Sequence, residues 1–447
     1  MKKIIAFTLA ALMICGVFAG CSTNQSSNNP ASTDSVAAAS TPASSETPKK
    51  NVTLTFGSHQ SGLPSSGIVQ EIAQEYEQKT GVKIDFQITP DAQWKDVIKT
   101  KLATGEAPDM FCVDTGTLEQ EYHVSKNCVD LTNESWVSRM DPTALPMVTV
   151  NDKAYAISFQ GYKIWWYYYN KKMFNDLGLK APTNYQDFKD VCAKIKATGV
   201  TPIYEAVQDG WHQQLPLYET GGFYASKYPN LYDDLNTHKK TLNDIPELKT
   251  VVTQMQEFAT LGYFGSDYMS NSTANGSKAF ADGKVAMVLD GFGWEQQTNS
   301  DFPDTTGNIG FFVMPWADSQ VLGISPPSNG YLITANSEYI TEAKDFFNYL
   351  AQPEVLKKRL DGDPSALALC WPEIPAKYPK SYSDYMDTLK KEIVMQVAVP
   401  YTGTEWMDVG KDVAAMYSGA MTPDMLIENM QQRLDNQAKL MKDPNWD

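Results

Sequence analysis

Two short segments combine an acid, a glycine and a flat aromatic ring, a set of residues suited to holding a polyhydroxylated ring. Residues 209–214 read Asp-Gly-Trp-His-Gln-Gln, and residues 290–294 read Asp-Gly-Phe-Gly-Trp. A sugar exposes an apolar C–H face surrounded by hydroxyls, so its sites pair aromatic faces with carboxylates and amides. The chain is rich in such rings, with 10 Trp, 23 Tyr and 18 Phe. The two segments therefore predict carbohydrate contacts.

Signatures of catalysis are missing from the sequence. It contains no G-x-S-x-G, no H-E-x-x-H and no G-x-x-x-x-G-K-[ST]. Its four histidines are His59, His123, His212 and His238, and no two of them lie at a metal-ligand spacing. We expect no metal, no cofactor and no reaction, although any two well-placed carboxylates could make a glycosidase.

The elements that must position these segments alternate between strands and helices. Both segments follow short apolar runs, 202–204 and 285–289, which predict buried strands. The first folded residues give a strand at 52–56, a helix at 68–76 that ends at Gly81, and a strand at 82–88. Such a unit implies a parallel pair with a right-handed crossover.

Further along, the same pattern continues. A helix from Trp94 to Leu102 ends at Gly105, and a strand at 110–113 finishes at Asp114. Helices are also predicted at 188–195 and 248–258, and the clearest helices of the helix-rich C-terminal third are 343–350 and 423–441. The fold class is therefore α/β with open parallel or mixed sheets, which bind ligands at the carboxyl ends of their strands.

The N-terminus predicts export and lipidation. Lys2 and Lys3 precede an uncharged apolar segment, and small residues come immediately before Cys21. Residues 1–20 are predicted to be a lipoprotein signal peptide, with Cys21 as the lipidated residue. A simple secretory signal or an uncleaved anchor is the alternative. Residues 22–50 lack aromatic residues and apolar periodicity, which indicates a disordered tether with an end-to-end distance of roughly 30 Å.

Size and charge bound the remainder. About 400 residues follow the tether. A single hydrophobic core rarely supports a chain of this length, so two domains are expected. The formal charge is −16, and cleavage would remove two lysines and no acid, giving −18. Nucleic acid is excluded as a partner because phosphate binding needs a positive surface. Four cysteines remain in the folded part, and the sequence leaves disulfides and buried thiols equally open; they are Cys112, Cys128, Cys192 and Cys370.

Four segments give the chain a resemblance to a known family. They are residues 107–111, 155–174, 279–287 and 329–354. In this order they resemble the extracellular solute-binding proteins of bacterial ABC importers, specifically the oligosaccharide-binding branch that includes maltose-binding protein.

The resemblance implies two α/β lobes, each a mixed sheet flanked by helices, joined by hinge segments. Crossings between the lobes are expected near Gly161, Gly307 and Asn336. The first lobe would then comprise residues 52–161 and 308–335. The second lobe would comprise residues 162–307 and 336–447.

The resemblance also implies ligand contacts on both lobes. The first lobe would offer polar residues at its strand ends: Ser58, His59, Gln60 and Asp114. The second lobe would offer acids and aromatic platforms: Asp209, Trp211, Asp290, Phe292, Trp294 and Trp371. Near the hinge, three further rings are candidates: Tyr162, Trp165 and Tyr167.

Departures from the family pattern bear on the ligand. His59 stands where a charged residue is frequent, and Thr115-Gly116 replaces an arginine beside the acid. The chain has only three arginines, Arg139, Arg359 and Arg433. A neutral sugar is therefore expected, because anion sites favour arginine.

The resemblance implies a monomeric receptor that delivers an oligosaccharide to ABC permease subunits. It would be held at the extracellular face of the cytoplasmic membrane by its lipid alone. The alternatives are a secreted glycoside hydrolase or lyase, or a receptor for a peptide, polyol or polyamine.

Overall fold

The computed structural model describes residues 51–142, 144–326, 329–399, 401–402 and 406–446. The predicted signal peptide, Cys21 and the tether lie outside these residues. Within the described ranges, no helix is both long and apolar enough to cross a membrane.

Strands and helices alternate along the described chain. The strands are β1 (Val52–His59), β2 (Val82–Thr89), β3 (Met110–Asp114), β4 (Thr149–Val150), β5 (Lys153–Ala154), β6 (Trp165–Asn170), β7 (Thr201–Tyr204), β8 (Val285–Gly291), β9 (Ile309–Phe312), β10 (Val321–Ile324), β11 (Asn329–Ile333) and β12 (Lys390–Ile393). The α-helices are α1 (Ile68–Thr80), α2 (Asp91–Thr104), α3 (Leu118–Tyr122), α4 (Val124–Asn127), α5 (Leu145–Val148), α6 (Lys171–Asp176), α7 (Tyr185–Lys196), α8 (Leu215–Glu219), α9 (Gly221–Lys227), α10 (Leu231–Asn236), α11 (Pro246–Thr260), α12 (Gly276–Ala281), α13 (Trp294–Asp301), α14 (Ile340–Leu350), α15 (Pro353–Asp361), α16 (Lys380–Met386), α17 (Met395–Ala398), α18 (Trp406–Tyr417) and α19 (Pro423–Leu440).

The first sheet has the strand order β11-β3-β1-β2. Strand β1 runs parallel to β2 and β3, and β11 runs antiparallel to β3. The predicted strand-helix-strand unit is confirmed, and α1 and α2 end at Gly81 and Gly105 as expected. Both glycines have φ near +77°, a left-handed conformation that favours glycine at a helix end.

The second sheet has the order β7-β8-β6-β9. Strands β7 and β8 are parallel, whereas β6 runs antiparallel to both of its neighbours. Strand β6 is buried on both faces. Tyr167 packs into one hydrophobic cluster with Phe188 and Phe312, and Trp166 and Tyr168 pack into another on the opposite face. The strand therefore reads as an almost continuous aromatic run instead of alternating with polar residues.

The lobe boundaries predicted from the sequence need correction. Residues 308–335 were assigned to the first lobe, but β9 pairs with β6 in the second sheet. Residues 336–447 were assigned to the second lobe, but α14 and α15 bury their apolar faces in the core of the first sheet. The crossings expected near Gly307 and Asn336 are therefore wrong, because pairing distant in sequence decides which sheet each segment joins.

Three segments connect the two sheets and lie side by side. In the segment before β6, Ile157 pairs with Tyr331 of β11, and Lys163 pairs with Ser325 beyond β10. The segment between α15 and α16 adjoins it, because the Gly161 N–H donates to the Ala368 carbonyl oxygen at 3.2 Å. We call these three segments the hinge. It consists of residues 157–164, 325–326 with 329–330, and 362–379.

The four cysteines of the described chain are buried and unpaired. Burial raises the pKa of each thiol, because a thiolate loses its hydration in an apolar core. Of the two alternatives left open by the sequence, the structure therefore has buried thiols.

Candidate functional site

One edge of the first sheet collects polar side chains. Strand β1 ends at His59 and the parallel β3 ends at Asp114, while the antiparallel β11 begins at Asn329, opposite Asp114. Asp114 is exposed and Gln60 projects into solvent, whereas Ser58 is fully buried and its hydroxyl donates to the His59 carbonyl oxygen at 2.9 Å. His59 is nearly buried, and its Nδ1 has no hydrogen-bond partner among the described residues.

The matching edge of the second sheet carries aromatic rings. Strand β6 begins at Trp165, which pairs with Gly291 at the end of β8. The loop after β7 brings Trp211 against Trp165, with ring centroids 5.7 Å apart and ring planes at 64°. Edge-to-face contact of this kind stabilises both rings in one orientation. The two indoles therefore form a shared aromatic surface at the carboxyl end of the second sheet.

Lys163 lies on the hinge between these two edges. Burial lowers the pKa of its ammonium group, while the negative charges of Asp114 in the first lobe and Glu219 in the second act against this. Lys163 therefore interacts electrostatically with an acid from each lobe. Tyr162 and Trp165 were predicted from the sequence as candidate contacts, and Lys163 was not. Side-chain alternation along an extended segment could have indicated that Lys163 points away from Tyr162.

Glu219 is a buried acid at the end of α8 that was not predicted from the sequence. Its Oε1 accepts a hydrogen bond from Gln396 Nε2 at 2.8 Å, and its Oε2 has no partner among the described residues. Burial raises the pKa of this carboxyl group to about 8, which the amide of Gln396 and the charge of Lys163 only partly offset. Glu219 therefore attracts Lys163 with its full negative charge only at alkaline pH.

A buried ion pair lies beneath Trp211. His212 Nδ1 is 2.9 Å from Glu205 Oε1, and both side chains are 2% exposed. Nearby, burial raises the pKa of Asp290 to about 6, although the Gly291 N–H and the charge of His212 favour the ionised form. Glu219 and Asp290, two acids with raised pKa values, thus lie on the second lobe near its aromatic surface.

Several buried polar atoms along residues 211–219 have no hydrogen-bond partner among the described residues. Besides Glu219 Oε2, they are Trp211 Nε1, Gln213 Oε1 and both amide atoms of Gln214. Such atoms are rare in native proteins because an unmet buried donor or acceptor costs about 1–3 kcal/mol. They are suited to hydrogen bonds with buried water.

Three predicted aromatic platforms are core residues instead. Tyr167 stacks on Phe312, Trp294 packs against Tyr168 and Phe280, and Trp371 donates from Nε1 to the Ser158 carbonyl oxygen at 2.9 Å. All three are at most 6% exposed, so no ring face is free for a ligand. Their expected stacking role is wrong because packing between distant segments buries them.

Two other predicted residues have different surroundings from those expected. Asp209 Oδ2 accepts from the backbone N–H and the hydroxyl of Thr273, both at 2.7 Å, so it anchors its own loop. Phe292 and Tyr162 line a cavity of about 160 Å³ with neighbouring residues; the others are Ile164, Ile324, Tyr378, Met386 and Lys391.

A subset of the predicted residues therefore lies at the carboxyl ends of the two sheets. Asp114 and His59 lie at the end of the first sheet, and Trp165, Trp211 and Asp290 lie at the end of the second. We call this set, with Lys163 of the hinge, the cleft site. The larger surface depression of about 420 Å³ beside α19 involves none of these residues.

Two sheets with helices on both faces, joined by three adjacent segments and carrying polar and aromatic residues at facing strand ends, define a two-lobed binding protein. The sequence profile of the family described as "Bacterial extracellular solute-binding protein" matches residues 61–357. The chain belongs to this family.

Known relatives and solved structures agree with the fold. A multiple sugar-binding protein of Streptococcus mutans is 23% identical over 331 residues, which cover 73% of this chain and 77% of that protein. The diacetylchitobiose binding protein DasA of Streptomyces coelicolor is 23% identical over 366 residues, covering 76% and 78%. The structure of a chitin oligosaccharide binding protein superposes with a TM-score of 0.72 at 19% identity, covering 87% of this chain and 99% of that one. The two-lobed fold predicted from the sequence is confirmed.

Proposed function

We propose that the protein captures a neutral oligosaccharide between its two lobes and delivers it to an ABC permease without altering it. The observation that carries this proposal is the aromatic pair of Trp165 and Trp211 at the carboxyl end of the second sheet, with Asp114 exposed at the carboxyl end of β3 in the first sheet. A ligand that contacts both ends would favour a closed arrangement of the lobes.

The chemistry of the cleft site suits a sugar. The Trp165 and Trp211 rings can face the apolar side of a pyranose, and the exposed carboxylate of Asp114 can accept hydrogen bonds from its hydroxyls. Two acids and one lysine belong to the cleft site, which disfavours an anionic ligand. The relatives named for multiple sugars, diacetylchitobiose and chitin oligosaccharides support the same ligand class.

The rest of the proposal concerns location and partners. The protein would act as a monomer at the extracellular face of the cytoplasmic membrane, with Cys21 as its lipid anchor and permease subunits as its protein partners. It would have no cofactor and no nucleic acid partner. The sequence around Cys21 supports the lipid anchor. Family membership supports the permease as a partner.

A thermal-shift screen followed by calorimetric titration tests the ligand class. A ligand present at 100 times its Kd should stabilise the folded protein by about 2.7 kcal/mol, and only ligands of the native state do so. Neutral oligosaccharides should raise the melting temperature, whereas uronic acid oligomers, peptides, polyols and polyamines should not. A shift with the latter ligands alone would contradict the proposal.

A glycoside hydrolase is the second candidate, because Asp290 and Glu219 have raised pKa values of different size, as an acid–base pair requires. Glu219 is enclosed between Gln396 and β10, however, and a side chain at Gly323 would come within 3.3 Å of its Oε2. Incubation with the binding oligosaccharide should therefore release no new reducing ends. Turnover would favour the hydrolase instead.

A further inference from the structure

Both ring nitrogens of His212 face hydrogen-bond acceptors. Nδ1 lies 2.9 Å from Glu205 Oε1, and Nε2 lies 2.9 Å from the carbonyl oxygen of Leu289. A carbonyl oxygen only accepts, so Nε2 must carry a proton. Glu205 Oε1 also accepts from the N–H of Ala206 at 3.2 Å. The 2.9 Å contact between Nδ1 and Oε1 is a hydrogen bond only if a second proton lies between them, and this bond raises the pKa of His212, which favours the imidazolium.

The second sheet explains why His212 takes this position. Strand β7 ends at Tyr204, opposite Val288 of β8, so Leu289 is the first β8 residue without a β7 neighbour. Its carbonyl oxygen would otherwise be buried without a donor. His212 supplies that donor and, through its other nitrogen, holds the chain that leaves β7. It therefore joins the ends of the two strands that carry the loops of the cleft site.

Two residues of the cleft site depend directly on this connection. Trp211 precedes His212 and its indole meets the imidazole ring edge-on, with centroids 5.6 Å apart. Asp290 follows Leu289, and the positive charge of His212 favours its carboxylate. Among the described residues, Tyr167 of β6 and Tyr417 of α18 also face Glu205, and both have a pKa raised well above the ordinary value and are therefore neutral.

We propose that His212, protonated on both ring nitrogens, is a positioning residue that fixes the Trp211 ring and the Asp290 carboxylate for ligand binding. This inference rests on the proposed function and adds to it a dependence of affinity on pH. The second lobe binds tightly only while the imidazolium connects β7 to β8.

The direction of the pH dependence follows from two groups. Burial alone would lower the pKa of His212, but its hydrogen bond to Glu205 and the charges of Glu205 and Asp290 outweigh burial and raise it. As pH rises through that raised pKa, one ring nitrogen of His212 loses its proton. That nitrogen then has no proton to donate to the acceptor it faces, and the hydrogen bond is lost. At the acid end, Asp290 is protonated below a pKa of about 6. Affinity should therefore pass through a maximum between these two titrations.

The test compares sugar affinity across pH in the wild-type protein, His212→Gln and His238→Gln. His238 is the matched control, because it stacks on Trp446 at the C-terminus and lies outside the cleft site. On the alkaline side, wild-type and His238→Gln affinity should fall at least about fivefold, the lower limit of typical coupling between sites. His212→Gln should bind more weakly at neutral pH and lack the alkaline decrease. An alkaline decrease that survives in His212→Gln would overturn the inference.

Nitrogen NMR of the histidine rings gives a readout that needs no ligand. Two protonated ring nitrogens at His212 at neutral pH, together with a Trp211 indole signal that shifts as His212 titrates, would support the inference. A single protonated nitrogen would refute it. If no oligosaccharide binds the wild-type protein, the proposed function fails, and the NMR result alone decides whether His212 positions Trp211.

Discussion

The indole of Trp211 meets the indole of Trp165 edge-on, with centroids 5.7 Å apart. One ring comes from the loop after β7 and the other from the start of β6. The contact holds both rings at the carboxyl end of the second sheet, where Asp290 also lies.

Replacement of Trp211 by alanine should therefore weaken oligosaccharide binding at least about tenfold, which corresponds to roughly 1.4 kcal/mol and lies within the range measured for aromatic contacts. The half-buried ring lies at the border of the core, so the fold should survive. Isothermal titration calorimetry measures the affinity, and circular dichroism checks the fold. Trp211→Phe, which keeps a flat ring, serves as the control and should retain most of the affinity. Equal affinity in Trp211→Ala and wild type would remove this ring from the site.

Asp114→Asn should also weaken binding, because an ionised carboxylate accepts stronger hydrogen bonds from hydroxyls than an amide does. We expect a loss of about tenfold, as for one charge-assisted hydrogen bond of 1.5–3 kcal/mol. Asp85→Asn on the neighbouring strand β2 is the matched control, since Asp85 is exposed and lies away from the strand end. If both variants bind like wild type, Asp114 is not a ligand contact.

Trp294→Ala tests the corrected assignment of this ring to the core. The loss of its contacts with Tyr168 and Phe280 should lower the free energy of unfolding by about 3–5 kcal/mol, as large-to-small core substitutions do. Urea unfolding measures this loss. Trp294→Phe should cost less and bind sugar with wild-type affinity. A stable Trp294→Phe variant that no longer binds sugar would restore the original prediction of a stacking platform.

Glu219 should make stability depend on pH. Its folded pKa, about 8, lies above its unfolded value, so its stabilising effect is complete below the unfolded pKa and is lost as pH rises through about 8. Glu219→Gln removes this titration and keeps an uncharged side chain of similar shape. At pH 9 the variant should be more stable than wild type by at least about 1.4 kcal/mol, the equivalent of one pKa unit. Melting curves that change with pH identically in both proteins would contradict the raised pKa.

Cys21→Ser tests the predicted anchor, which lies outside the described residues. Lipidation needs the thiol, so the variant should move from the membrane fraction to the medium and lose labelling by palmitate. Cys192→Ser is a suitable control because this thiol is buried in the second lobe. Retention of Cys21→Ser in the membrane would instead favour an uncleaved apolar anchor.

The sequence predicted local features well because local features depend on neighbouring residues. The helix ends at Gly81 and Gly105, and the strand end at Asp114, follow from periodicity and glycine placement. Membership of one or the other sheet did not follow, since β9 and α14 join partners more than a hundred residues away. The same limit applies to single side chains. Trp294 and Trp211 look alike in sequence, and only tertiary packing makes the first a core residue.

The hinge restricts how the lobes can move. Its segments are joined laterally by backbone hydrogen bonds, from Lys163 to Ser325 and from Gly161 to Ala368. Bending about the line that these segments share leaves their lateral hydrogen bonds intact, whereas sliding or twisting would break them. We therefore expect ligand entry and ligand release to proceed by the same rotation of the lobes in opposite directions.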